Sequence, residues 1–333
     1  MEARPFFHRQ YFSMNHQLQG LALYWDTLLY TTRMVAPIFL LVLLGALLKR
    51  ARLLDEAFVQ TGSRLVFLVC LPTLVFMSIS QTHIRQVLDL PLMGLTALAV
   101  LCTYLACAFW AKLKGLADAD RGAFVQGAFR SNFGIIGLAM AISLFGDAGL
   151  ARASVLLALG IPMFNVLSIL ALSSREQNWL ATFKNVCKNP LIIAVVLALP
   201  LSLMELELPS VVVDAGESLG RMTLPLALLT IGATLNLRDL RSDSKLATQA
   251  SLVKLVWMPG VFSLLAWALG FAGQDVALLF VMLGSPTAAA AFVMARAMGA
   301  NAQLTANIIL ASTLGSVLSL SGGIFLMRLF GLL

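Results

Sequence analysis

Gly127-Ala128-Phe129-Arg130-Ser131-Asn132-Phe133-Gly134-Ile135-Ile136-Gly137 lies near the centre of one apolar run, and Gly284-Ser285-Pro286-Thr287-Ala288 lies near the centre of another. A shift of 153 residues carries Asn132–Gly134 onto Ser285-Pro286-Thr287. Asn and Gly in succession loosen a helix. Proline removes a backbone donor and clashes with the turn before it. A kinked helix with ordinary packing would explain one such break. Two breaks at a single offset favour a functional crossing of two interrupted helices.

The same offset aligns other breakers. Pro37 falls on Pro190, Leu71-Pro72 on Leu224-Pro225, and Gly146 on Gly299. Leu156-Leu157 meets Ile309-Leu310 and Leu167-Ser168 meets Leu320-Ser321, but leucine matches are cheap in so apolar a chain. The 333 residues are 59% hydrophobic and 12% charged, half the charge of an ordinary soluble domain. The apolar runs are continuous rather than alternating, which predicts helices and not a barrel. Ten spans follow, at about 34–48, 64–79, 90–110, 124–145, 150–173, 190–204, 211–235, 246–271, 276–298 and 304–332. An offset of five helices turns the second half upside down in the membrane. The fold class is therefore an all-α membrane protein of ten transmembrane helices in two inverted five-helix repeats, residues 34–173 and 190–333, with broken helices 4 and 9 crossing. Residues 174–189 form the connecting loop. Residues 1–33 are an N-terminal extension, read either as an interfacial helix around Tyr24, Trp25 and Tyr30 or as sequence upstream of a functional start at Met34. No h-region with a cleavage site marks a signal peptide.

Basic residues alternate between the loops. Lys49, Arg50, Arg52, Lys112, Lys114, Arg121, Arg175, Lys184, Lys188, Arg238, Arg241, Lys245 and Arg296 fall on one side; Arg4, Arg9, Arg33, Arg85, Arg152 and Arg328 fall on the other. The richer side is expected to be cytoplasmic, which puts both termini in the periplasm of a bacterial-type inner membrane. The net charge of +7 thus reflects membrane orientation, and nucleic acid is not an expected partner. The partners are the lipid bilayer and a small organic anion.

The anion follows from the breaks. After each one a new half-helix begins, and its free N–H groups and positive dipole end point at the midplane. Arg130 adds a full charge within about one turn of Asn132, a combination that suits a carboxylate. Candidate substrate-binding residues are Arg130, Ser131, Asn132, Gly134, Ser285, Pro286 and Thr287. For Arg130, substrate contact and structural pairing both stay open. Asn165, Lys254 and Asn307 are secondary candidates, with hydrogen bonding between helices the alternative for the two asparagines. Glu217 and Arg221, four apart, suit a structural pair.

Several chemistries find no support. No acidic residue sits near the middle of a span, which disfavours an antiporter built on a midplane Asp pair; a uniport driven by the anion gradient and membrane potential is expected instead. The motifs HExxH and the P-loop do not occur, and no histidine lies within a span to complete a Ser-His triad. His8, His16 and His83 have no metal-ligand spacing, and Cys70, Cys102, Cys107 and Cys187 form no CxxC. Neither an enzyme nor a cofactor or metal is expected. A non-transporting membrane sensor or assembly protein is the alternative function.

Phe129-Arg130-Ser131-Asn132-Phe133-Gly134 and Gly284-Ser285-Pro286-Thr287-Ala288 resemble the two central motifs of the auxin efflux carrier family. Pro37–Arg50, with Gly45 and Lys49-Arg50, and Lys188-Asn189-Pro190 are similar to its other segments. The resemblance covers Met34 to Leu333. It implies a secondary carrier, since bacterial members carry malonate and malate and plant members export auxin. It further implies a bile-acid symporter-like fold, a scaffold of spans 1, 2, 6 and 7, a moving core of the rest, and a homodimer through the scaffold. The fourth span carries Asn-Phe-Gly where the family pattern has a proline, so a milder first break is expected.

The orientation yields a direct test. Cysteines introduced into residues 174–189 should resist an impermeant thiol reagent applied to whole cells and react once the membrane is opened; labelling from outside would reverse the topology.

Overall fold

The computed structural model describes residues 36–81, 88–172, 190–234 and 244–333, with residues 25, 26, 28–30, 32, 33 and 188 beside them. Residues 174–187, Cys187 and nearly all of the N-terminal extension lie outside the described residues. Among the described residues the secondary structure is helical apart from one isolated β-bridge. We number the helices α1 (residues 36–50), α2 (Glu56–Ser80), α3 (Leu90–Leu113), α4 (Asp118–Phe129), α5 (Phe133–Leu172), α6 (Pro190–Leu203), α7 (Ser210–Thr234), α8 (Lys245–Ala268), α9 (Gly273–Gly284), α10 (Ala290–Ala297) and α11 (Ala302–Leu329).

Capping chemistry explains where the helices overrun the apolar spans. α2 starts eight residues before the expected span, because the Asp55 carboxylate accepts the Phe58 N–H at 2.7 Å. α3 is capped by Asp89, which accepts the Leu92 N–H at 2.9 Å. α4 begins at Asp118, with Asp118 and Asp120 at the positive end of its dipole.

Helices α2, α3, α5, α8 and α11 are long and apolar enough to cross a membrane. Their most apolar windows are at most half buried within the chain. Leu105 and Phe109 on α3, Leu264 and Trp267 on α8, and Leu318 on α11 all face outward. A water-soluble chain would not present such continuous apolar faces, so the medium around them is lipid.

The helices form two groups. In the first, α1, α2, α6 and α7 pack together. Gly45 on α1 lies against the backbone of Leu229 on α7, and Gly232 on α7 lies against the backbone of Val42. A Cβ at these positions would meet a carbonyl oxygen at 2.1 and 1.8 Å, so only glycine lets the two helices approach this closely. Met77 and Leu74 on α2 fill the space over Gly216 and Gly220 of α7. The second group holds α3, α4, α5 and α8 to α11. The two groups meet where α5 runs beside α2 and α6, and where its first turn touches α7. Glu217 and Arg221 pair at 2.9 Å on the exposed side of α7, the structural role expected of them.

Ends of elements far apart in sequence gather together. At one end of the bundle Arg152 sits between Asp275, in the first turn of α9, and Asp89 at 3.8 Å. At the other, Asn301 caps α11, donates its amide to Asp120 at 2.7 Å, and gives its N–H to the Ala119 carbonyl at 3.1 Å. Arg328, near the end of α11, stacks over the Tyr30 ring at 3.9 Å. The chain therefore enters its first helix and leaves its last at the same end.

Two glycines matched by the repeat offset both turn the chain. Gly146, at φ 60 and ψ −144, folds α5 back on itself, and Gly299, at φ 73, joins α10 to α11. Both conformations are costly for any residue with a Cβ. The breaks themselves follow a slightly different register. α4 and α9 are each 12 residues long, and they end 155 residues apart, at Phe129 and Gly284. The stretch from the end of the first half-helix to the glycine turn is two residues shorter in the later copy, which restores 153 by Gly299.

Glycine placement gives a stability test. Gly232→Val should lower stability by about 1–3 kcal/mol or more through overpacking against α1. Gly94→Ala, on an exposed face of α3 with nothing within 4 Å, should raise it by about 0.5–1 kcal/mol. Thermal unfolding of the purified variants reads both.

Candidate substrate site at the crossing of two broken helices

The two breaks meet. Ser131 and Thr287 form an antiparallel β-bridge. The Asn132 N–H donates to the Pro286 carbonyl at 2.8 Å, and the Ala288 N–H donates to the Arg130 carbonyl at 3.2 Å. Each interruption thus satisfies backbone groups that the other leaves open, which is what an interrupted helix needs away from water. The first break is complete but shorter than the second: Arg130 (ψ 97) and Asn132 (ψ 63) leave the helical region, as Ser285 (ψ 141) does, and helix resumes at Phe133 in the first copy and at Ala290 in the second. The reason is the bridge: Asn132 takes its partner from the opposing segment, so no proline is needed to open α4.

Small side chains allow the approach. The Thr287 hydroxyl donates to the Gly127 carbonyl at 2.7 Å, and its N–H donates to Ser312 Oγ on α11 at 3.1 Å. Ser131 Oγ donates to the Leu283 carbonyl at 3.1 Å, and Ser285 Oγ to the Met282 carbonyl at 2.7 Å. These hydroxyl protons go to backbone carbonyls in this conformation. Gly134 faces the first helix group, where a Cβ would stand 3.2 Å from Leu71 of α2. The crossing therefore borders the boundary between the two groups.

Arg130 is 8% exposed, and its guanidinium reaches across to α5. Nη1 donates to the Phe164 carbonyl at 3.0 Å and to Ser168 Oγ at 2.8 Å; Nη2 donates to Asn165 Oδ1 at 3.0 Å. All three partners are neutral. Among the described residues no carboxylate pairs with it, and Nε is buried with no partner. One turn earlier on α4, Gln126 Oε1 is likewise buried and unpartnered, while its Nε2 reaches only Met294 Sδ at 3.8 Å. The Arg130 N–H bonds the Gln126 carbonyl at 3.1 Å, which fixes the one-turn spacing. Asn132 is 7% exposed, and its side-chain amide makes no hydrogen bond among the described residues.

The structure brings together Arg130, Ser131, Asn132, Ser285, Pro286, Thr287 and Asn165, with Gly134 at the edge. The secondary candidates differ. Asn165 joins Arg130, and Lys254 shares the Leu283 carbonyl with Ser131 at the end of α9, whereas Asn307 on α11 accepts from Gln303 at 3.5 Å. Sequence reasoning missed Gln126 and Ser168. A polar residue one turn before an intramembrane arginine was the available signal for Gln126. Ser168 stood out only as a repeat match, because nothing local says that the Arg130 fork reaches it. Among the described residues no group of His, Cys, Asp and Glu is placed to hold a metal.

An acid-free, positively charged crossing of broken helices inside a lipid-facing helical bundle is the architecture of a carrier. Comparison with known proteins agrees. The family model described as membrane transport protein matches residues 30–324. An uncharacterized transporter of Methanothermobacter thermautotrophicus is 28% identical over 294 residues, 87% of this chain and 96% of that protein. A second uncharacterized transporter, from Methanocaldococcus jannaschii, is 25% identical over 295 residues, 85% of this chain and 94% of that one. The chain therefore belongs to the membrane transport protein family, the auxin efflux carrier family that its two central motifs resemble.

Proposed function

We propose that this transporter is a secondary carrier of small organic anions, of the malonate, malate or auxin-like carboxylate class, and that it works by alternating access. The observation that carries this reading is the unpartnered amide of Asn132, a residue 7% exposed, beside Arg130, a guanidinium with only neutral partners. A carboxylate between Asn132 and Ser285–Thr287 would accept from the amide and from Arg130 Nε, and would neutralise a charge that no side chain answers. The first-turn N–H groups of α5 and α10 begin at the same level and add a positive dipole end each.

The architecture fits the task. Ten spans in two inverted repeats, residues 34–173 and 190–333 joined by 174–189, would place the crossing at mid-depth. The group α1, α2, α6 and α7 would serve as scaffold and dimer interface. The other group would move against it, exposing the crossing to each side in turn. With both termini outside, in a bacterial-type inner membrane, the basic loops face the cytoplasm. Moving one charge across 100 mV is worth about 2.3 kcal/mol, enough to drive a uniport.

Direct binding on purified variants tests the site. Losing a neutral donor to a charged group costs about 1.5–3 kcal/mol, so Asn132→Ala should weaken carboxylate binding roughly 10- to 150-fold. Parent-like binding and flux by both Asn132→Ala and Thr287→Ala, across a panel of small acids in calorimetry and proteoliposomes, would reject the crossing as the site. Arg130→Lys tests the fork separately. An ammonium cannot span Phe164, Asn165 and Ser168 together, so the variant should lose about 1.5–3 kcal/mol of stability and bind the anion more weakly. An unchanged melting temperature would show that the fork is not what ties α4 to α5.

A further inference from the structure

The far side of the crossing holds a group that the anion reading does not use. Lys254 lies about 14 Å along α8 from its start and is 0% exposed. The π turn Val253–Trp257 turns it inward while Val256 and Trp257 face lipid. Its ammonium donates to the Leu283 carbonyl and lies 3.8 Å from Met258 Sδ. Among the described residues no carboxylate pairs with it.

Leu283 is in the last turn of α9, where carbonyls lack an intrahelical donor and the dipole end is negative. Its oxygen also accepts from Ser131 Oγ at 3.1 Å. The neighbouring Met282 carbonyl accepts from Ser285 N–H at 3.3 Å and Ser285 Oγ at 2.7 Å. The end of α9 is thus a cluster of four hard oxygens, two carbonyls and two hydroxyls, at the depth of the break. Half-helix C-terminal carbonyls at such a break are where carriers coordinate a monovalent coupling cation. Here the charge is supplied by the protein. An ammonium is a compact point charge, and the four-carbon stem places it on the carbonyl a cation would need.

We propose that the Lys254 ammonium is a tethered substitute for a monovalent alkali cation at the C-terminal end of α9. Protonated, it holds the break open with the Leu283 carbonyl satisfied and places a positive charge beside the anion site. The carrier then binds its substrate without taking up sodium. The consequence for coupling rests on the carrier reading; the cation site itself does not. Removing the lysine uncovers the Leu283 carbonyl, with the Ser131 hydroxyl on it and the Met282 carbonyl and Ser285 hydroxyl next to it, and creates a cation site.

The test is thermal unfolding of the purified full chain without substrate, titrated with sodium, lithium or potassium chloride against choline chloride at equal ionic strength. The parent should melt at the same temperature in every salt. Lys254→Ala and Lys254→Ser should melt lower in choline and show a saturable rise with one of the small cations, as binding to the folded state requires. Lys254→Gln keeps a donor for Leu283 and adds an amide oxygen as a ligand. It should show the same rise, and it serves if the smaller variants do not fold. A saturable sodium response in the parent overturns the proposal, and so do folded variants that respond equally to sodium and choline. Because no carboxylate is present, failure here leaves the anion site standing, and failure of the Asn132 test leaves the cation titration unaffected.

Discussion

The structure depends on the pair of backbone hydrogen bonds that join residues 130–132 to residues 286–288. A helix interrupted inside a bilayer exposes polar groups that lipid cannot satisfy, at several kcal/mol each. Neither break is stable alone. Laid across one another as an antiparallel bridge, they supply each other's donors and acceptors. Most of the surrounding chemistry serves that contact. Gly127 is packed on Ile308, its carbonyl receives the Thr287 hydroxyl, and Ser312 receives the Thr287 N–H.

The crossing also organises charge. Four helix ends converge there, two negative ends from α4 and α9 and two positive ends from α5 and α10. A cation stands by each negative end: Arg130 at the close of α4 and Lys254 on the last turn of α9. Nothing acidic stands by the positive ends among the described residues. The field left over is positive, and an anion is the species that completes it.

Much of this was legible in the sequence because breakers act locally. Proline and glycine act on the backbone locally, so Gly146, Gly299 and the Ser285-Pro286-Thr287 break could be placed from an offset alone, although the matched Pro225 lies inside continuous α7. Each of the two family motifs also lay in one continuous stretch. The Arg130 partners were not legible, since Phe164, Asn165 and Ser168 sit on a helix that returns only after the turn at Gly146. The depth of the first break was hidden for a similar reason: Asn132 is opened by a partner 154 residues away, not by its neighbours. Lys254 stood out as a charge in an apolar run, but its role depends on a π turn that no residue pattern announces. The register of the breaks, 155 rather than 153, reflects a stretch between helix end and glycine turn that is two residues shorter in the later copy, a difference invisible where leucine and alanine align with anything.

One consequence concerns the order in which the chain is made. α4 has 12 residues, about 18 Å of helix against a hydrocarbon layer of about 30 Å. It also carries Arg130 at its deep end, a residue whose insertion alone is disfavoured by about 2.5–3.5 kcal/mol. Its bridging partner leaves the ribosome 154 residues later. Until then the first broken helix has no mate, and its polar turn must be sheltered by α5 through Ser168 and Asn165 or by the insertion machinery. The nascent first half is therefore a metastable intermediate, and arrival of α9 is the event that commits the protein to its fold.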